Sequence, residues 1–287
     1  MSRILHREQL SADVFLMRLA APLIATERQP GQFILLSLDQ EFGERIPLTI
    51  ADADPVEGSI TIIFQRVGMT TSALAELPAG ADIPVLVGPL GTPTHIEKFG
   101  TCVCVGGGIG VAPLYPIVQG LRAAGNRIVT ILGARTRELV ILEERMRALA
   151  DEQFVCTDDG SYGRKALVTE PLKECCERSP KPDFVIAIGP PIMMKFCAAT
   201  TKPYAVKTMV SLNTIMVDGT GMCGGCRVTV GGQAKFVCVD GPEFDGHQVD
   251  FAEMLNRLRA YKEQEQQALT QWRENHVCRI RGQEVRP

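Results

Sequence analysis

After Thr101 short apolar runs alternate with stretches of helical spacing, and this alternation restricts the possible fold more than any other feature. Cys102 to Val105 reads as a buried strand, Gly106 to Gly110 as a glycine turn, and Val111 to Ala124 as a helix. Then come a strand at Ile128 to Leu132, a helix at Leu142 to Ala150 and a strand at Gln153 to Cys156. A helix at Lys165 to Cys176, a strand at Phe184 to Ile188 and a helix from Pro191 complete the series. Apolar strands alternating with helices predict a parallel, doubly wound α/β sheet, because parallel neighbours need long crossovers and both sheet faces must be covered.

The rhythm is different on either side. From Arg3 to Val87 short β-rich runs are broken by Pro and Gly: Val14 to Leu19, Phe33 to Leu38, Ile46 to Ala51, Ile60 to Arg66 and Ile83 to Val87. Such runs, without a helical stretch of any length, predict a small antiparallel β-barrel. From Ser211 cysteine and glycine concentrate, and a polar helical tail runs from Phe251 to Asn275. A multidomain chain results: a β-barrel over 1–98, an α/β unit over 99–210, a Cys/Gly-rich segment over 211–250 and a helical tail over 251–287. An apolar content of 45% in 287 residues is enough to build these cores.

Charge narrows the functional classes. A net charge of -3 gives no electrostatic reason to expect nucleic acid or an anionic membrane as partner. The first ten residues lack the apolar run of a signal peptide, so a cytoplasmic location is expected. There, ten cysteines are not read as a disulfide framework, and clustered ones are better read as metal ligands.

One such cluster exists. Asp218-Gly-Thr-Gly-Met-Cys223-Gly-Gly-Cys226, followed after eleven residues by Cys238, reproduces the spacing of a plant-type 2Fe-2S site with Asp in the first ligand position. The intervening glycines let the backbone wrap closely around an inorganic core. Cys238 is expected on the far strand of a hairpin that turns at Gly231-Gly232. A structural zinc using the same thiolates, or a dithiol redox pair, remains open, although neither needs the Asp218 spacing. Cys102, Cys104, Cys156, Cys175, Cys176, Cys197 and Cys278 read as structural.

Two further motifs concern nucleotides. The turn does not complete the usual dinucleotide fingerprint, but as Gly108-x-Gly110-x-x-Pro113 it fits a related phosphate turn, a helix N-terminus offering free N–H groups. A tight structural turn is the alternative. In the barrel, Arg45-Ile46-Pro47-Leu48-Thr49 puts a cation and a hydroxyl on one strand, and Gly68-Met69-Thr70-Thr71 opens a short helical run. Together they could hold the two ends of a flavin pyrophosphate; singly, each is an ordinary strand or turn. Arg135 and Arg137 follow the second strand of the α/β unit, where a 2′-phosphate would be read, but surface arginines are common and the choice between NAD and NADP stays open.

Arg45-x-Pro47-Leu48-Thr49, Gly68-x-x-Thr71, Gly108-x-Gly110-x-x-Pro113 and Gly189-Pro190 with Met193 together resemble the ferredoxin-NADP reductase superfamily. The C-terminal cysteine segment resembles the branch that holds the dihydroorotate dehydrogenase electron-transfer subunits and the small subunits of NADH-dependent ferredoxin:NADP oxidoreductase, also described as sulfide dehydrogenase beta subunits. Asp218 and the run Val237 to Gly246 are more similar to the second group. The resemblance implies an oxidoreductase subunit carrying FAD and a 2Fe-2S cluster and using NAD(H) or NADP(H), with no catalytic side chain. It implies flavin contacts at Arg45, Pro47, Leu48, Thr49, Gly68, Thr70 and Thr71, and a nucleotide turn at Gly108, Gly110 and Pro113. Asp158, Asp159, Gly189 and Pro190 would lie near ribose and nicotinamide; Ile188 stands where many relatives have Cys. The implied partner is a larger glutamate-synthase-like subunit with flavin and 4Fe-4S clusters, which reaches ferredoxin in an electron-bifurcating complex. A dihydroorotate dehydrogenase or sulfite reductase type complex is the alternative, and a redox sensor with vestigial sites is the non-enzyme one.

Overall fold

Side chains alternating between two faces build the first unit. The structure, a computed structural model, describes residues 1–41 and 43–283, with side chains as far as residue 274. The unit runs β1 (Ser2–Ser11), β2 (Val14–Ala20), α1 (Pro22–Glu27), β3 (Phe33–Ser37), β4 (Ile46–Asp54), β5 (Ser59–Gln65), α2 (Met69–Glu76), β6 (Asp82–Ile83) and β7 (Val85–Leu90). Its seven strands pair in the order β6-β1-β2-β5-β4-β3-β7. The two outer strands are consecutive in the chain, so the antiparallel sheet curls into a nearly closed barrel. Phe15, Met17 and Leu19 of β2, Ile34 and Leu36 of β3, and Ile60, Ile62 and Phe64 of β5 fill its interior. Each such side chain contributes about 1.5–3 kcal/mol by leaving water. The intervening Val14, Leu16 and Ile63 face the second unit.

That unit follows the expected alternation. It contains β8 (Thr101–Gly107), α3 (Val111–Ala123), β9 (Arg127–Ala134), α4 (Glu143–Arg147), β10 (Glu152–Thr157), β11 (Arg164–Lys165), α5 (Thr169–Cys176), β12 (Phe184–Ile188), α6 (Pro191–Thr201) and β13 (Lys207–Ser211). The strand order β11-β10-β9-β8-β12-β13 is parallel throughout and reverses between β8 and β12. Ligands of such sheets bind at that reversal, beyond the carboxyl ends of the strands.

The last segment is welded to the others. After the hairpin β14 (Arg227–Val230) and β15 (Gln233–Phe236) comes a single turn, α7 (Val237–Asp240), then β16 (Glu243–Asp245). β16 adds antiparallel to β13 at the edge of the nucleotide sheet. Phe33 and Leu35 of the barrel share one core with Val105, Ala187 and Val210 of the sheet and with Cys226, Val237 and Cys238. Cys238 therefore sits on a helical turn just beyond the hairpin, a correction to its expected place on the strand. The tail is also corrected: it breaks into α8 (Phe251–Leu258) and α9 (Lys262–Gln283). α9 packs on α2 of the barrel. Cys278 lies outside the described side chains.

Candidate functional site

A cleft of about 990 Å³ opens at the reversal between β8 and β12, and all three units contribute to it. Pro47, Leu48, Thr49 and Thr71 come from the barrel, and Gly108, Gly110, Pro113, Asp158, Gly189 and Pro190 from the α/β unit. Ser211, Leu212, Asn213, Met216 and Pro242 close it from the cysteine-rich side. Gly108 has φ +55°, and a Cβ there would meet nothing within 4 Å, so its backbone faces open space. Gly110 has the opposite surroundings: a Cβ would fall 2.3 Å from the carbonyl oxygen of Ile188, so only glycine lets α3 start this close to β12. Pro113 lies in the first turn of α3, where its missing N–H is no loss. The remaining free N–H groups and the helix dipole at this end favour an anionic phosphate.

Not every expected residue reaches the cleft. Arg45 is exposed just ahead of β4. Gly68 caps α2, where the Thr71 hydroxyl accepts the N–H groups of Val67 and Gly68 at 3.1 and 2.9 Å. Thr70 is buried, and its hydroxyl donates to the Glu44 carboxylate. Asp159 is exposed, its carboxylate accepting the N–H and hydroxyl of Ser161 at 2.9 and 2.7 Å, and these bonds hold the carboxyl below its usual range. Arg135 lines the cleft, whereas the Arg137 guanidinium stacks 5.3 Å from the Tyr162 ring centre. Gln65, Ser211, Asn213 and Met216 line the cleft and escaped the sequence reading. Ser211 and Asn213 lie at the carboxyl end of β13, a strand too short and polar to stand out in the sequence.

The cysteine loop is partly assembled. The Cys226 and Cys238 sulfurs lie 3.2 Å apart and are buried, and burial with the neighbouring thiol raises the Cys238 thiol well above its ordinary range. Cys223 is exposed, its sulfur accepting the N–H of Gly225 at 3.4 Å. The Asp218 carboxylate accepts the N–H groups of Thr220 (2.9 Å) and Cys223 (2.7 Å), and these bonds, that of Thr220 foremost, hold it below the usual carboxylate range. Among the described residues no group of three or more His, Cys, Asp or Glu is spaced to hold an ion, so the expected convergence of four side chains is realised for one pair. The donor set nonetheless suits an iron-sulphur cluster: two thiols in contact, a third on the same glycine loop already serving an N–H···S bond, and a carboxylate held anionic beside it. Gly219, Gly221 and Gly224, all at positive φ, give that loop its curvature. The remaining described cysteines are buried in strands and helices.

A Thermotoga maritima protein described as a dihydroorotate dehydrogenase B (NAD(+)), electron transfer subunit homolog is 48% identical over 265 residues, 92% of this chain and 93% of that one. The chain belongs to the dihydroorotate dehydrogenase B electron transfer subunit family. A Methanocaldococcus jannaschii member, described as a probable electron transfer subunit of the same enzyme, is 38% identical over 80% of this chain and 84% of its own. Within the family's frame, residues 213–250 match the iron-sulfur cluster binding domain of dihydroorotate dehydrogenase B, and residues 104–199 match the oxidoreductase NAD-binding domain. A solved chain of the NADH-dependent reduced ferredoxin-NADP oxidoreductase, from work on flavin-based electron bifurcation, superposes with TM-score 0.89 at 46% identity. It covers 95% of this chain and 98% of its own. The protein is thus an electron-transfer subunit of an oxidoreductase, with NAD-binding and iron-sulphur domains. No helix among the described residues is long and apolar enough to cross a membrane.

Proposed function

We propose that this subunit takes electrons from, or returns them to, a nicotinamide nucleotide through FAD in the cleft, and exchanges them with a larger flavin and 4Fe-4S subunit through a 2Fe-2S cluster. The bound groups supply hydride exchange and single-electron relay, chemistry that belongs to the cofactors and needs positioning more than acid-base help. One observation carries the reading: a single cleft touches the barrel, the glycine turn and the cysteine-rich segment. Met216 lines that cleft, and Asp218 follows two residues later, at most about 7 Å along the chain.

The residues divide the work. Pro47, Leu48 and Thr49 present one barrel strand to the flavin, with Arg45 and the α2 start at Gly68, Thr70 and Thr71 serving its pyrophosphate. Thr70 acts from behind, tied to Glu44. Gly108, Gly110 and Pro113 take the nucleotide phosphates; Asp158 faces the ribose, braced by the Asp159 turn; Gly189 and Pro190 abut the nicotinamide. Val14, Phe33, Ile63 and Met193 keep the cleft wall apolar and exclude water. Cys223, Cys226 and Cys238 would hold the cluster together with Asp218, whose carboxylate in this structure accepts the N–H groups of Thr220 and Cys223. Identity of 46% with the ferredoxin-NADP oxidoreductase chain, and Asp in the first ligand position, favour a bifurcating complex that reaches ferredoxin through the partner.

Anaerobic purification of the native complex tests this. Expected are stoichiometric FAD, about two irons and about two acid-labile sulfides per chain, and a larger co-purifying flavin and iron-sulphur subunit. Zinc in place of iron, or a colourless chain, would refute it.

A further inference from the structure

Arg257 lies on α8, and its guanidinium Nη2 donates to the carbonyl oxygens of Gly225 at 3.2 Å and Gly224 at 3.4 Å. These are the two residues between Cys223 and Cys226. The helix that carries Arg257 is fixed in register. The Asp250 carboxylate caps it by accepting the N–H groups of Ala252 and Glu253 at 3.0 and 2.9 Å. Phe251 and Met254 bury one face in the same core as Cys226 and Cys238. Arg257 stands three residues beyond Met254, on the side that faces the loop.

The two bonds do more than tether. In a trans peptide the C=O and N–H point in opposite directions. With the Gly224 carbonyl turned towards Arg257, the N–H of Gly225 in the same peptide points away from it, and it reaches the Cys223 sulfur at 3.4 Å. A cation bound to the carbonyl polarises the peptide and strengthens the donor at its far end. The chain Arg257 to Gly224-Gly225 peptide to Cys223 sulfur thus delivers positive potential to one candidate ligand. Cluster potentials respond to net charge and to hydrogen bonds at the sulfurs.

We propose that Arg257 is a positioning residue for the cluster loop, orienting the Gly224-Gly225 peptide so that its N–H serves the Cys223 sulfur, and thereby favouring the reduced cluster. The proposal rests on the reading that this loop holds a 2Fe-2S cluster. Arg257 bonds to the loop carbonyls and is not among the residues that line the cleft; it acts through the peptide.

The test uses the anaerobically purified complex carrying wild-type chain, Arg257→Gln, Arg257→Lys, and Arg259→Gln as an exposed control just past the end of the same helix. Flavin and iron contents, the EPR spectrum of the reduced cluster and its midpoint potential are measured. In Arg257→Gln the expected result is full flavin, an altered EPR signal and a potential lowered by about 59 mV, a tenfold loss of preference for the one-electron reduced state. Arg257→Lys restores part of the shift because the charge remains, and Arg259→Gln matches wild type. Loss of iron with flavin intact in Arg257→Gln is the same dependence in extreme form. The proposal is overturned if Arg257→Gln keeps the wild-type spectrum and potential, if it loses flavin together with iron, or if Arg259→Gln shifts equally. Absence of iron from the wild-type complex would instead defeat the cluster reading itself, before any variant is compared.

Discussion

Glu243 shows how a single carboxyl registers the packing of the three units. It lies on β16, and its carboxylate accepts the hydroxyl of Thr94, in the segment that joins the barrel to the nucleotide sheet. Part of the residue reaches the surface, but its carboxyl end lies inside, and burial pushes the carboxyl from its ordinary 4.5 up to about 7. The folded chain therefore favours the proton, while the unfolded chain loses it near 4.5. Stability should fall as pH rises from about 4.5 to 7 and stay lowered above that, by up to about 3 kcal/mol at about 1.4 kcal/mol per pH unit. Partial water access reduces the figure. Glu243→Gln removes the effect: its melting temperature should exceed wild type by several degrees at pH 8, with the gap closing towards pH 4.5. A gap that did not vary with pH would argue against a buried, titrating carboxyl. At this scale the cysteine loop was legible because its spacing is local. The bonds that tie Thr70 to Glu44 and Asp159 to Ser161 were not legible, since one joins residues 26 apart in the chain and the other is an acidic side chain capturing the backbone two residues on.

Elements are decided by what each strand or turn has to touch. At the nucleotide turn, Gly110→Ala should lower the melting temperature markedly, because its Cβ would meet backbone at 2.3 Å from the Ile188 oxygen and 2.7 Å from the Gly189 Cα. Gly108→Ala meets no atom within 4 Å and incurs only the strain of φ +55°, about 1–3 kcal/mol. Its main expected effect is weaker NADH binding, because the added methyl projects into the cleft. Thermal melts and NADH titrations of both variants check this ordering; a Gly110→Ala protein as stable as wild type would contradict the close approach of α3 to β12. Buried parallel strands such as Phe184–Ile188 were legible because both faces are apolar. β1 was not, since its exposed charged residues hide the one face that packs. The helix α1 was masked by its opening proline, and the break near residue 260 by the even polarity of the tail.

At the scale of the whole molecule, the order of barrel, α/β unit and cysteine segment follows from changes of rhythm along the chain, and the fold bears that order out. The contacts that join the units were not legible, because they pair residues far apart in sequence. β16 completes the nucleotide sheet beside β13, Thr92 donates to the Val239 carbonyl, and α9 folds back onto the barrel helix α2. The loop of Cys223 begins two residues after the cleft-lining Met216, and Val217, Met222 and Val239 are exposed around it. In the proposed function the cysteine loop is the route by which electrons entering at the cleft reach the surface. The most direct measurement is an anaerobic titration of the purified protein with NADH, followed by absorbance and low-temperature EPR on the same samples. Expected is bleaching of the flavin together with growth of a 2Fe-2S signal; a flavin that bleached while iron stayed EPR-silent at every stage, or an NADH-insensitive flavin, would contradict the route.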